Sequence, residues 1–150
     1  MANPPGAVSL TETPIVTPLE RPSGDTGAVV DFWGVVRLME DGREISGIEY
    51  EAHHAMAEHQ LQSVMADAAV KFDLTQIRIE HRLGFVPVGE ASLFVRVGGR
   101  HRAEAFQAAG WIVDELKTRA TIWKHPRFVT RPQSEPNSAG AKFAASSAPL

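Results

Sequence analysis

Apolar positions along the chain fall into two periods, and their order predicts the fold. From Gly27 to Trp33 they run almost unbroken (Ala28, Val29, Val30, Phe32, Trp33), as in a buried strand, and Val35–Met39 continues that run past Gly34. Glu40-Asp-Gly-Arg43 carries the Asp-Gly hairpin signal, and Glu44–Ala52 alternates as the returning strand. Gln76–Leu83 alternates strictly, which predicts a strand with one wet face. Ala91–Val97 predicts a further strand, ended by Gly98-Gly99. Between these strands the period lengthens. Met56, Leu61, Val64, Met65, Ala68 and Phe72 predict a helix over 53–72, and Ala105, Phe106, Ala109, Ile112, Val113 and Leu116 predict another over 101–117. Gly84–Gly89 reads as a rigid turn region and Ala120–Trp123 as a short strand.

Two strand–helix–strand passages with hairpins predict an α+β sandwich, two main helices packed on an antiparallel or mixed sheet. Ahead of it, Pro14, Pro18 and Pro22 oppose any helix in residues 1–26, leaving an irregular segment with one edge strand near 7–11. Residues 27–131 form the one folded domain expected here. Behind it, 132–150 turn small and polar and predict a disordered tail. There is no internal repeat.

At 150 residues, 43% hydrophobic and 22% charged, the chain has the composition of one soluble domain. No apolar run approaches the ~18 residues of a membrane span, and the opening Met-Ala-Asn-Pro-Pro-Gly lacks the features of a secretory leader. The sequence contains no cysteine, which excludes disulfides, thiolate nucleophiles and cysteine-type zinc sites and is compatible with a cytoplasmic location. The net charge of -3 hides an asymmetry: from Arg100 to Arg131 seven Lys/Arg stand against three Asp/Glu, while the rest is acidic. General nucleic-acid binding wants a long basic face, so this distribution suits a local anion site better. Its plainer reading is a set of solvated helix and loop charges.

Five cations are candidates for such a site. Lys117 and Lys124 close the second helix and enter the strand after it; Lys124 has Ile122 and Trp123 as neighbours, expected to be partly buried, and a lysine there has an anionic partner or a chemical task. A lysine crowded by cations in low dielectric would suit proton transfer or nucleophilic attack. Lys117 has a simpler account as a cation favoured by the helix C-terminus. His101-Arg102 stand where a helix begins, where exposed backbone N–H groups favour anions; equally, Arg102 caps a carbonyl or pairs on the surface. Arg37 follows the Phe32-x-Gly34 strand, where a glycine permits close approach, although a strand-end arginine is commonly a solvated charge. The pairs His53-His54 and His81-Arg82, and His59, lack metal-ligand spacing and read as surface or core residues. No glycine-rich phosphate loop is present.

In order, Gly27-Ala-Val-Val-x-Phe32-x-Gly34-x-Val36-Arg37, Tyr50-Glu-Ala-x-x-x-Met56-Ala57, His81-Arg-Leu-Gly-x-Val-x-Val-Gly-Glu90, His101-Arg102-x-x-Ala105-Phe106 and Leu116-Lys117 through Ile122-Trp123-Lys124 resemble the large, catalytic subunit family of molybdopterin synthase over roughly 27–125. That resemblance implies an α/β hammerhead-type fold and a central homodimer that becomes a heterotetramer. Its partner is a small ubiquitin-like sulfur carrier whose C-terminal Gly-Gly ends in a thiocarboxylate. The implied activity is that of a sulfurtransferase in molybdenum cofactor biosynthesis, converting cyclic pyranopterin monophosphate to the dithiolene of molybdopterin, with no cofactor held by this chain. It assigns catalysis to Lys117 and Lys124 and substrate binding to Arg37, Phe32, His101 and Arg102, the last pair reaching in from the dimer mate. Two departures stand out: residues 16–26 are too short and stiff for a helix the family usually has there, and Thr121 replaces a frequent proline. His125-Pro126 also alters the family's C-terminal continuation, leaving Arg131 a weak pocket candidate. A non-catalytic dimeric scaffold that docks a ubiquitin-like partner, and a small-anion or nucleotide-binding module, are the other readings these residues admit.

Overall fold

In chain order the elements are β1 (Gly6–Thr11), β2 (Ala28–Val35), β3 (Met39–Glu40), β4 (Arg43–Ala52), α1 (His54–Lys71), β5 (Leu74–Arg82), β6 (Gly84–Pro87), β7 (Ala91–Gly99), α2 (Arg102–Arg119), β8 (Ile122–Phe128) and β9 (Ala148–Pro149). The computed structural model describes residues 6–130 and the backbone of 148–149; the tail expected over 132–150 otherwise lies outside the described residues, as does Arg131.

Two sheets result. The first has the order β1-β5-β7-β2, antiparallel except for the parallel pair β1–β5. The second has the order β3-β4-β8-β9, with β6 also paired to β4. Both helices cover one face of the first sheet: α1 packs on β1 and β5, α2 on β7 and β2, and the two helices pack on each other. This is the α+β arrangement expected, with a second sheet added. Gly84–Pro87, expected as a turn region, is a strand along β4. That approach depends on Gly47, where a Cβ would lie 2.5 Å from the Phe85 ring and would also strike the Val86 carbonyl. Strand β8 runs to Phe128, beyond the expected Trp123; Pro126, which has no N–H to donate, lies past the pairing with β9, where no described residue pairs with that edge.

The helix faces are rotated slightly from the expected stripes. Ala57, Leu61, Val64 and Ala68 are the buried set of α1, and Ala105, Ala108, Ala109, Ile112, Val113 and Leu116 that of α2. Met56 and Phe106, both expected in the stripes, are 50% and 64% exposed. Small alanines take the positions nearest the sheet, where backbone approach is closest.

The alternation predicted for 76–83 is present in β5, where Ile77, Ile79 and His81 are buried, but the polar face of Gln76, Arg78 and Glu80 is half-covered rather than wet, and β7 beside it is buried almost throughout. Residues 12–26, which form no helix, lie across the second face and satisfy its polar groups. Arg96 donates Nη1 to the Pro18 carbonyl at 3.0 Å and forks onto both carboxylate oxygens of Asp31 at 2.7 and 2.8 Å. The Glu20 carboxylate accepts from Arg78 at 3.0 Å and from Gln76 at 3.3 Å, and the hydroxyls of Thr26 and Thr75 meet at 2.6 Å. Trp33 tilts against fully buried Phe94, centroids 4.6 Å apart.

Arg96 is 8% exposed, so removing Asp31 strands a guanidinium in a nearly dry site. Asp31→Ala is expected to destabilise the fold by about 3 kcal/mol, whereas the paired apolar replacement Asp31→Leu/Arg96→Met recovers most of the loss. Thermal and urea denaturation of the two variants measure this.

Candidate active site

Lys124 of β8 lies opposite Tyr50 of β4. Opposed residues in an antiparallel pair share a face, so Lys124 points to the side on which Tyr50, Ile122 and Pro126 are buried. Its side chain is 29% exposed, and its Nζ is 3.6 Å from Oε1 of Glu40, itself 22% exposed. The crowding by cations anticipated from sequence is therefore not what the chain supplies here; the neighbour in contact is an anion. Of the two apolar residues expected beside it, Ile122 is buried and Trp123 is 39% exposed on the opposite face.

The β3–β4 hairpin fixes Glu40. Asp41 and Gly42 have φ of 51° and 74°, the left-handed pair of a two-residue hairpin turn, and Glu40 is in register with Arg43. Arg43 in turn places its guanidinium 4.2 Å from the centre of the Phe128 ring.

Arg37 lies in the connection between β2 and β3, exposed, with no ion pair or side-chain hydrogen bond among the described residues. Its backbone is nonetheless pinned. Val36 N donates to the Glu90 carbonyl at 3.0 Å, Gly89 N donates to the Val36 carbonyl at 2.9 Å, and the Glu90 carboxylate accepts from buried Arg82 at 2.8 Å. The His81–Glu90 block thus serves to hold the strand end that carries Arg37. Three residue steps lead from Arg37 to Glu40, a chain reach of about 10 Å, and the Glu40 side chain in turn meets Lys124.

Lys117 occupies the last turn of α2, exposed. The helix end is anchored to α1: Arg119 pairs with Asp67 of α1, and with Glu115 of its own helix, while Gln60 of α1 grips Thr121 at both ends of its amide. Gln60 Oε1 accepts from Thr121 N at 2.7 Å, and Gln60 Nε2 donates to Thr121 Oγ1 at 3.1 Å. A proline at 121 has no N–H for that grip, so the departure at Thr121 and the presence of Gln60 belong together. Gln60 fixes the junction between Lys117 and Lys124, and nothing in its own sequence context marks it.

His101 and Arg102 stand at the other end of α2. Both are exposed, His101 makes no capping bond, and neither has a side-chain partner among the described residues. Fifteen helical steps separate Arg102 from Lys117, about 22 Å along the axis. Helix α2 therefore holds Lys117 well apart from His101 and Arg102 within one chain. Phe32 is half-buried against the core; its ring lies across Gly34, where a Cβ would be 3.5 Å from Phe32 Cε1 and 3.2 Å from Leu93 Cβ. The close approach that Gly34 permits is made by this ring and Leu93.

Behind Lys124 is a buried polar layer that sequence reading placed only as packing. The Tyr50 ring meets His81 edge-on at 5.1 Å. His81 is 2% exposed, and its Nδ1–H donates to the Arg82 carbonyl at 2.8 Å, which leaves Nε2 as a buried lone pair with no partner among the described residues. Burial lowers the His81 pKa to about 4, opposed by that hydrogen bond. Burial also raises the Tyr50 phenol, the Ser92 hydrogen bond opposing and the Glu40 charge reinforcing it. Three other histidines have local tasks: His53 caps α1 by accepting from Met56 N at 3.3 Å, His54 faces Glu58, and His125 meets Glu51 at 3.2 Å. No helix among the described residues is long and apolar enough to cross a membrane.

Comparison with known proteins supplies a family. The pattern of the family described as "MoaE protein" matches residues 9–119. A "Molybdopterin synthase catalytic subunit" of Emericella nidulans is 38% identical over 121 residues, 81% of this chain and 61% of that protein. The chain thus spans about three-fifths of that curated relative. Among solved structures, "The X-ray Crystal Structure of Molybdopterin Synthase from Staphylococcus aureus" superposes with a TM-score of 0.75 at 28% identity, covering 80% of this chain and 90% of the other. A chain of the Helicobacter pylori "Protein-protein complex of subunit 1 and 2 of Molybdopterin-converting factor" shares the fold at 24% identity, TM-score 0.58, with 80% and 82% covered.

His81 makes stability depend on pH. Its folded pKa lies below the unfolded value of 6.5, so its contribution is complete above pH 6.5 and is lost as pH falls toward 4. The loss amounts to about 3 kcal/mol. Urea midpoints between pH 7 and 4 should fall accordingly, and a folded His81→Gln variant should show a flatter dependence.

Proposed function

The chain belongs to the MoaE protein family, and on that premise we propose that it is the catalytic subunit of a molybdopterin synthase. Its substrates in this reading are a cyclic pyranopterin monophosphate and the C-terminal thiocarboxylate of a small ubiquitin-like carrier. The names of its relatives support the activity, and the two-subunit complex from Helicobacter pylori supports a protein partner. The observation that carries the reading is Lys124 itself, a partly shielded lysine on a core-facing strand position beside the Glu40 carboxylate. Arg37, three positions before Glu40, and Lys117, five positions before β8, are its companions in this reading.

Both substrates are anions, which suits cations supplied from strand ends and a helix end. The carrier's thiocarboxylate sulfur attacks a side-chain carbon of the pterin and displaces an oxygen there. That oxygen leaves with the bond's electron pair, as the phosphate ester oxygen or, once protonated, as water, so that a thioester joins carrier and pterin. Water then adds to the acyl carbon and the carbon–sulfur bond breaks. A carboxylate remains on the carrier, a thiolate on the pterin, and two protons are released. Lys124 and Lys117 would stabilise the tetrahedral oxyanion and relay those protons, while Arg37 holds the phosphate or the tail. The absence of cysteine is no obstacle, because sulfur arrives on the partner.

Helix length argues for a homodimer, and with two carriers a heterotetramer. His101 and Arg102 are about 22 Å from Lys117 of their own chain, so they serve this corner only from a second copy, as a two-fold assembly permits. Val35, Leu38 and Met39, each about half exposed beside Arg37, offer apolar rim for a docked chain. The cysteine-free sequence fits work in the cytoplasm.

Incubation with thiocarboxylated carrier and precursor, followed by assay for dithiolene, tests the reading. Turnover is expected, and Lys124→Ala and Lys117→Ala should each abolish it while carrier binding persists. Binding without turnover by the unaltered chain would instead mark a docking scaffold. A separate mixing experiment addresses the shared site: Lys117→Ala and Arg102→Ala dimers, each inactive, should after subunit exchange regain roughly a quarter of full activity, because half the dimers carry one intact site. No recovery would place both residues in one chain's site.

A further inference from the structure

We propose that Glu40 is a positioning residue for Lys124: its carboxylate holds the ammonium at the transfer position and gives way to the anionic peptide end that arrives there. This rests on the reading of Lys124 as a catalytic group.

Three features separate this contact from an ordinary surface ion pair. First, the carboxylate is set by backbone rather than by a mobile side chain alone. Glu40 is the last residue before a two-residue turn whose central positions both have positive φ, and its register with Arg43 leaves the strand end no freedom to slide. Second, the pair is shielded. Lys124 and Glu40 retain 29% and 22% side-chain exposure, and the lysine lies on the core-facing side of β8, opposite buried Tyr50. A lysine in that position without an anion would turn toward solvent. Third, the separation is 3.6 Å. That is beyond a hydrogen bond, so charge restrains the ammonium while its three N–H donors remain available to an incoming oxyanion.

The other charged or titratable groups near the pair come from the elements that pack there. They are Tyr50 on β4, whose phenol the Glu40 charge raises, Arg43 across the hairpin, and Arg37 in the preceding connection. Glu40 therefore also offsets the repulsion among Arg37, Lys124 and the cations proposed to enter from a second chain. That arrangement carries a cost. A carboxylate beside an anion site opposes the substrate it helps to process, so its removal should tighten binding and slow the reaction. A structural role predicts a different split, with weaker binding or lower stability.

Steady-state kinetics with thiocarboxylated carrier and cyclic pyranopterin monophosphate test this in the full chain. Glu40→Gln should lower kcat about tenfold, through loss of a held geometry, and lower KM for the carrier about threefold, through loss of repulsion. Glu40→Asp keeps the charge and shortens the reach; it should lower kcat comparably while leaving KM at the wild-type value. Both should melt within a few degrees of the parent. An unchanged kcat in either variant, or a raised KM, overturns the proposal. Should Glu40→Gln fail to fold, Glu40→Asp decides alone by the same criterion. Lys124→Ala, run in parallel, keeps the two ideas apart. Residual turnover there defeats the catalytic role of the lysine, whereas an inactive Lys124→Ala beside a fully active Glu40→Gln defeats only the role of Glu40.

Discussion

An α-helix of eighteen residues is a rigid rod, and α2 (Arg102–Arg119) is the constraint from which the rest of the arrangement follows. It carries cations at both ends and keeps them a helix length apart. Its C-terminus is anchored by Arg119 to Asp67 and by Gln60 to Thr121, so it delivers Lys117 to the corner where β8 begins. Its N-terminus projects His101 and Arg102 into solvent at the far side. A chain built this way presents its cations at two separate places, one at each end of a single helix.

The β4–β8 register supplies the second element. One residue of slip would move Lys124 from the face it shares with Tyr50 to the face of Trp123 and His125, out into water. The register is secured by buried Ile122 and Pro126 on the same side as Lys124, each at an alternate position. The Asp41-Gly42 turn then brings Glu40 to the lysine from the neighbouring hairpin. Apolar packing thus sets where the lysine points, and turn chemistry sets the charge it meets.

Residues 12–26 lack regular structure yet are tied to the second face of the first sheet by side-chain and carbonyl contacts. Arg96, Arg78 and Gln76 stand on a face that would otherwise be wet; the segment crossing it answers Arg96 with the Pro18 carbonyl and Arg78 and Gln76 with Glu20, while Asp31 of β2 takes the rest of the Arg96 guanidinium. Those contacts involve backbone carbonyls and side chains more than fifty residues away in sequence, so no local period announces them. The same holds for His81, whose place in an alternating strand gave no sign that both of its faces would be covered.

What the sequence determined by itself is what short-range physics fixes. The 3.6 and 2.0 periods located both helices and most strands to within a few residues. Asp41-Gly42 marked its hairpin, because only such residues adopt positive φ cheaply there. The order of motifs pointed to the family. The sequence also named Lys117, Lys124, Arg37, Phe32, His101 and Arg102 as the residues to examine. Only the tertiary structure decided how these stand to one another. It put Glu40 against Lys124, Gln60 against Thr121 and Tyr50 against His81, and it exposed Phe106 and Met56, which the helical period had placed inside. It also separated the two ends of α2. These are relations between elements that meet through strand pairing and helix packing, and the energy that selects them comes from surfaces brought together across long stretches of chain, which leave no mark in the period of any single segment.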